Sequence, residues 1–429
     1  MRNRLTRLLL SSMAAVVAVT CPLILHAQYV YVNDNNFNSG ANTATAYKVV
    51  TGPALSMLTG SPYATFGTGL GKFFAPLQEV AIDYGTSYKK CLFVSDPLTT
   101  SSFPNGDIAA FRINPGTGAL TLVGNFVDPT DTSGANNLGI SLAIDRRVGF
   151  PYLFAAFSGE FEIAYFKVNP ATCKLTWVSS TTAVGISGAS PVQGLAVSRT
   201  GPHVVVASYG DGSIQSFKVT GSTLTPTPIV TSTGYTNQAA LPEGVDITQN
   251  GKFAVFGDNQ PSGTEVEVAK ILTSGALSAT VDYGGPANAS GVNLGPGVNS
   301  QNVWISPGLV SGKNYLYITN DYSNQVTTAK LSTAGIVSAL SATACTGTFT
   351  NPTTLNPGSW NFPAGLHTVT TTGSGAALVV AEFGSPSSVA LLRIQNPSGC
   401  TKEITTSPYS DGNSNSGLFS LDVFPSRSY

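Results

Sequence analysis

Charge is scarce in this chain. Asp, Glu, Lys and Arg together make up 10% of its 429 residues, against about 25% in an average globular protein. The formal net charge is -1, which gives no electrostatic reason to expect nucleic acid or an anionic membrane as a partner. Histidine is scarcer, with three in the chain: His26, His203 and His367. No CxxC pair occurs, so a cysteine zinc site has no basis. There is no G-x-S-x-G nucleophile elbow, no P-loop and no dinucleotide fingerprint; the glycines fall in hairpin turns rather than between a strand and a helix. Past the N-terminal segment no stretch sustains a 3.6-residue apolar period, which predicts almost no helix. No cofactor is implied.

What the chain does have is Gly 45, Pro 26 and a hydrophobic content of 42%. That is loop-rich, yet apolar enough to build a core rather than remain disordered. The N-terminus opens MRNRLTR and continues LLLSSMAAVVAV, with Leu25-His26-Ala27 ahead of Gln28. A basic start, an apolar centre and a small residue at the cut predict a secretory signal peptide over 1–27, and therefore an exported protein. A membrane anchor is the alternative; Pro22 and His26 interrupt the apolar run short of the ~20 residues a span needs. Lipidation at Cys21 fits poorly with Val19-Thr20 before it. A cut after Ala27 leaves Cys91, Cys173, Cys345 and Cys400, an even number that suggests two disulfides, with three connectivities open.

The mature chain repeats itself. EVAID from Glu79, SLAID from Ser141, GLAVS from Gly194, GVDIT from Gly244, NVWIS from Asn302, HTVTT from His367 and SLDVF from Ser420 are short, alternating, strand-like segments. Behind each of the first six comes an apolar run such as CLFVSD or YLYITND. A third run follows (DIAAFRI, EIAYFKV, SIQSFKV), then a tight turn, then a fourth. The unit is four short strands at ~40–55-residue spacing, the range of blade repeats. The mature N-terminus begins with YVYVND, a second-strand sequence with no first strand ahead of it, while the last unit stops after its first strand, SLDVF. The C-terminal strand therefore completes the N-terminal unit, and six whole units plus one split unit predict a ring of seven four-stranded antiparallel blades. The fold class is all-β, with 28–429 one propeller domain.

Three stretches resemble lactonase-type seven-bladed propellers and the related YVTN-repeat proteins. Pro242 to Gly251, PEGVDITQNG, is similar to the P-x-G-V-A-V-S-P-D-G line, Tyr315 to Asn320, YLYITN, to the YVTN core, and Asn114 to Leu120, NPGTGAL, to the turn between third and fourth strands. The resemblance implies lactone hydrolysis of the 6-phosphogluconolactonase kind, with a Pro-Arg-His motif ahead of the first strand. This chain departs from it: the corresponding slots are Val192-Gln193-Gly194 and Pro242-Glu243-Gly244.

The channel mouth collects the loops before first strands and after second strands. Gln78, Glu79, Gln193, Glu243, Gln301 and His367 precede or open first strands. His367 near Glu382 or Glu243 is the candidate acid–base group, against an ordinary structural histidine. Second strands end in Asp34, Asp96, Asp258, Glu382 and Asn320-Asp321, with Glu160 and Asp211 a little further on. They read either as a carboxylate rim for a cation or polyhydroxylated ligand, or as turn-forming residues; the turn is favoured, since no D-x-D-x-D-G loop supports calcium, and no metal is assigned. Gln78, Gln193, Gln301, Asp96, Asp258 and Asp321 are the ligand-binding candidates. Trp177, Trp304 and Trp360 would stack a sugar or pack between blades. Cys91 opens a second strand and Cys173 lies in the next blade's turn on the same face, which pairs them and leaves Cys345 for Cys400. Low charge and missing Pro-Arg-His residues favour a monomeric module that binds a small molecule or protein at its mouth; the alternative is a lactone hydrolase using Glu243, His367 and Glu382.

Overall fold

The computed structural model describes residues 28–424 apart from 39, 72–77, 84–89, 99–105, 131–138, 146, 148–151, 189, 232–241, 260–262, 286–289, 307–313, 342, 356–361, 372–374, 384–386, 412–416 and 419. The expected signal segment and Trp360 lie outside the described residues. Those described form seven antiparallel sheets and no helix. Their inner strands are Val80–Asp83 (blade 1), Ile140–Ile144 (2), Val192–Val197 (3), Pro242–Ile247 (4), Ser300–Ile305 (5), Phe362–Thr371 (6) and Leu421–Phe424 (7). Each inner strand touches the next, and Leu421–Phe424 touches Val80–Asp83, so the ring is closed.

Blade 7 is the split one. Leu421–Phe424 pairs with Tyr29–Asn33, matching Val30 with Val423 and Tyr31 with Asp422. Thr43–Val50 and Ala54–Met57 complete the sheet. The join supplies the strand edge that either end would otherwise leave open.

Each blade is covered by a neighbour on both faces, which explains the continuous apolar second strands. Cys91–Asp96 and Tyr315–Asn320 are buried at every residue, as expected of strands with two covered faces. Third strands share one departure: a single exposed basic residue near the end, such as Arg112, Lys167 or Arg393. One apolar cluster fills each of the seven blade interfaces.

A second contact recurs at these interfaces. The turn after the third strand of blade 1 folds back on itself, Gly118 N bonding Asn114 O (2.7 Å) and Asn114 N bonding Ala119 O (2.9 Å). Gly118 sits at φ +75°, where a Cβ would lie 2.2 Å from the Tyr29 ring of blade 7. Tyr29 and Tyr31 donate their hydroxyls to Gly116 O and Gly118 O. Phe253 lies against Gly335 and Tyr315 against Gly399 in the same way. At the seam of blades 1 and 2 both partners are replaced: Cys91 stands in place of Tyr29, Cys173 in place of Gly118, and the two are bonded. Cys173 keeps the positive φ, +60°. Cys345 is bonded to Cys400. Both pairings are those expected, and two disulfides suit an oxidising compartment.

Two outcomes are expected. Gly118→Ala is to lose about 2 kcal/mol or more in urea unfolding, because a left-handed conformation and the Tyr29 ring both oppose a methyl group. Cys91→Ala with Cys173→Ala is to lose about 4 kcal/mol in the same assay, since the bond closes a loop of 82 residues.

Candidate functional site

Inner strands line the channel, and the third residue of the repeated segment decides its chemistry. In the first three blades that residue is Ala81, Ala143 or Ala196; in the other four it is Asp246, Trp304, His367 or Asp422. The alanines leave room on one side, and a cavity of about 110 Å³ lies among these strands. Arg199, just past the inner strand of blade 3, joins the polar side. Five successive blades, 3 to 7, thus supply Arg199, Asp246, Trp304, His367 and Asp422 in turn.

The five are linked. Arg199 Nη2 lies 3.3 Å from Asp246 Oδ1, and its guanidinium carbon stands 5.8 Å from the Trp304 ring centre, within cation–π range. Trp304 lies against His367 with centroids 3.9 Å apart, tilted by 36°, and its Nε1 donates to Thr368 Oγ1 at 3.1 Å. His367 Nδ1 is 2.7 Å from Thr368 O; a carbonyl only accepts, so Nδ1 carries the proton. His367 Nε2 then faces Asp422 Oδ1 at 3.4 Å. His367 is 2% exposed.

Both carboxylates also serve the backbone. An inner strand has an unpaired edge, and its N–H groups need acceptors. Asp246 Oδ2 accepts from Ile305 N (2.9 Å) in blade 5, and Asp422 Oδ2 accepts from Ile82 N (3.0 Å) in blade 1. Ser420 Oγ accepts from Val80 N (3.1 Å). Gln78 reaches across the channel: its Oε1 accepts from Leu195 N (2.6 Å) and its Nε2 donates to Val245 O (2.8 Å).

The candidates read from the sequence are dispersed. His367 falls in the middle of Phe362–Thr371 rather than at the start of a strand; GLHTV from Gly365 is the segment equivalent to SLDVF. Glu382 pairs across from Pro363 and His367 across from Val379, which puts the two about 10 Å apart along the sheet. Glu382 Oε2 accepts from Ser388 Oγ at 2.6 Å. Glu243 Oε1 accepts from Asn259 Nδ2 at 2.7 Å, and burial lifts its carboxyl to about 8. No hydrogen bond or ion pair joins His367 to Glu243 or Glu382 among those of the described residues.

Gln193 is half-buried beside the mouth. Gln301 Nε2 donates to Asp321 Oδ2 at 2.8 Å, and burial raises Asp321 to about 7. Asp96 is fully buried, accepting from Asn42 and Thr65 of blade 7. Burial raises the Asp96 carboxyl, and burial together with the charge of Asp96 raises Asp107. Asp258 and Asp34 are also fully buried. Asp211 has the turn role, accepting from Ser187 and Ser213. These acids lie mainly under the blade ends instead of lining an open rim. Elsewhere His203 Nε2 meets Asp145 Oδ2 at 2.5 Å across blades 2 and 3. Among the described residues no three His, Cys, Asp or Glu side chains converge as for a metal, and no helix is long and apolar enough to cross a membrane.

The family described as Lactonase, 7-bladed beta-propeller, matches residues 141–413. The chain belongs to this lactonase family. No curated protein matches it. Among solved structures it is similar to a putative 6-phosphogluconolactonase from Bacteroides fragilis, with 13% identity, TM-score 0.60, and coverage of 93% of this chain and 98% of that one. It is also similar to a periplasmic gluconolactonase from Pseudomonas aeruginosa (15%, TM-score 0.59, 92% and 99%) and to a protein from Lactobacillus plantarum (13%, TM-score 0.64, 92% and 99%). At these identities the likeness is one of fold. Of the channel group in this lactonase-family propeller, the sequence alone singles out His367 and Trp304, while nothing in it marks Arg199, Asp246 or Asp422 as a site residue. Aligning the seven inner segments on their aliphatic second residue, Leu142, Leu195 or Leu421, would have put Asp246, Trp304, His367 and Asp422 in one column.

Burial raises the Glu382 carboxyl to about 7, with Ser388 opposing and the charge of Glu403 adding to the rise. The folded protein therefore holds this proton more tightly than the unfolded chain does. Its contribution to stability is complete below about pH 4 and is lost as pH climbs through 7. Urea unfolding across pH 4–8 is expected to show Glu382→Gln losing about 3 kcal/mol less over that range than the wild type.

Proposed function

We propose that this chain is a lactone hydrolase working inside the channel, not a binding module working at its mouth. The family supports hydrolysis, and the observation that carries the site is the run of Arg199, Asp246, Trp304, His367 and Asp422 through five blades. His367 holds its Nδ1 proton on Thr368 O, leaving Nε2 to accept a proton from a water on the channel side of the His367–Asp422 pair. That water attacks the lactone carbonyl carbon. Arg199, oriented by Asp246, stabilises the resulting oxyanion, and Asp422 steadies the imidazolium. Collapse of the tetrahedral intermediate breaks the ring C–O bond, the Nε2 proton passes to the departing oxygen, and the product is an open hydroxy acid. Trp304 gives the sugar ring an apolar floor.

Among the described lining residues, two carboxylates set against one guanidinium leave no surplus cation for a phosphate. The substrate class is therefore an uncharged sugar lactone, as the name of the Pseudomonas relative also suggests. A cavity of about 110 Å³ is small beside the usual ligand pocket of about 300–1,000 Å³, which favours a monocyclic substrate. The two disulfides and the basic, apolar N-terminus support action outside the cytosol.

The test is hydrolysis of gluconolactone, its 6-phosphate and simple γ- and δ-lactones. Wild type is expected to prefer the unphosphorylated sugar lactone, and His367→Gln to lose about 10²-fold or more in kcat. No turnover above the spontaneous rate, or an unaltered kcat in His367→Gln, refutes the assignment.

A further inference from the structure

A separate group of side chains is left unused by the channel chemistry. Glu243 and Gln301 stand at the same place on neighbouring inner strands, directly before the residue that opens the repeated segment. They are 0% and 1% exposed. Asn259 engages Glu243 Oε1 at 2.7 Å. Gln301 turns its Nε2 to Asp321 Oδ2 at 2.8 Å, and Tyr322 N holds Asp321 Oδ1 at 2.6 Å. Among the described residues, Glu243 Oε2 and Gln301 Oε1 each remain buried without a hydrogen-bond partner. None of the ion pairs among the described residues reaches Glu243 or Asp321.

A buried acceptor without a donor costs about 1–3 kcal/mol, and more when charged. Here the two acceptors stand on neighbouring strands, Gln301 is bonded to Asp321, the charge of Asp321 acts on Glu243, and all the atoms concerned are hard oxygens. A hydroxyl-bearing ligand would supply one donor to each acceptor but nothing to offset the burial that raises the Glu243 and Asp321 carboxyls. A cation answers both needs at once.

We propose that Glu243 Oε2, Gln301 Oε1 and Asp321 bind a hard cation, with calcium the best match. Calcium accepts mixed carboxylate and amide oxygens completed by water, whereas magnesium demands a near-ideal octahedron. The site rests on residues outside the hydrolytic group and stands whether or not the chain turns over lactones.

The experiment uses the full exported chain stripped with a chelator and desalted. Calcium chloride is titrated in by calorimetry, with magnesium and potassium in parallel, and Tm is followed at each concentration. Wild type is expected to release or absorb heat for one site and to gain Tm with calcium. Glu243→Gln and Gln301→Met are each expected to weaken that binding by about tenfold or more, while leaving His367 and its neighbours untouched. If Glu243→Gln does not fold, Gln301→Met decides alone. No heat and no Tm change with any of the three cations overturns the site. Binding that survives at wild-type strength in the folded variants overturns it too, because the cation then sits elsewhere.

Discussion

Seven sheets meeting around one axis leave seven inner edges without a partner strand, and the rest of the molecule answers to that constraint. Backbone N–H groups facing the channel cannot pair with a further strand, so side chains must accept from them. Asp246 does this for Ile305, Asp422 for Ile82, Ser420 for Val80 and Gln78 for Leu195. The polar lining of the channel is thus demanded by the architecture before any chemistry is asked of it. Arg199 and His367 are added to carboxylates already fixed by the backbone. Such anchoring gives a site rigid supports, since a carboxylate that braces one strand against the next has little freedom to swing.

The outer seams follow a different rule. There the first residue of a second strand presses on the neighbouring blade's turn, which forces that turn into a conformation suited to glycine. Tyr29 on Gly118, Phe253 on Gly335 and Tyr315 on Gly399 are versions of one contact. Cys91 and Cys173 show that both members can change together, provided a covalent bond replaces the packing and the turn keeps its positive φ. Repeats that diverge in composition can therefore preserve their mutual spacing.

This division explains how much could be read beforehand. Blades, ring closure and both disulfides were legible, because each depends on local patterns: alternation, turn glycines, and a second-strand sequence stranded at one end of the chain. The channel group was not, His367 and Trp304 apart. Arg199 and Asp422 lie more than two hundred residues apart in the chain; Arg199 falls just past its strand, and Asp422 is the lone polar residue of Leu421–Phe424. His367 was recognised but placed at a strand start, because HTVTT alternates as well as the true segment GLHTV does; only Leu366 sets the register. The acids after the second strands were correctly seen as a repeated feature. Their depth was not foreseeable from one strand, since the cover for Asp96 comes from Asn42 and Thr65 in a different blade.

Ring closure by Leu421–Phe424 has a bearing on time as well as space. Arg199, Asp246, Trp304 and His367 all leave the ribosome before Asp422 does, and the strand carrying Asp422 also braces Ile82 and pairs with Tyr31. During synthesis the imidazole therefore waits for its carboxylate until the last described strand arrives. Latching the ring and bringing Asp422 to His367 are then one event, and a propeller held open at this seam is also one whose His367 lacks Asp422.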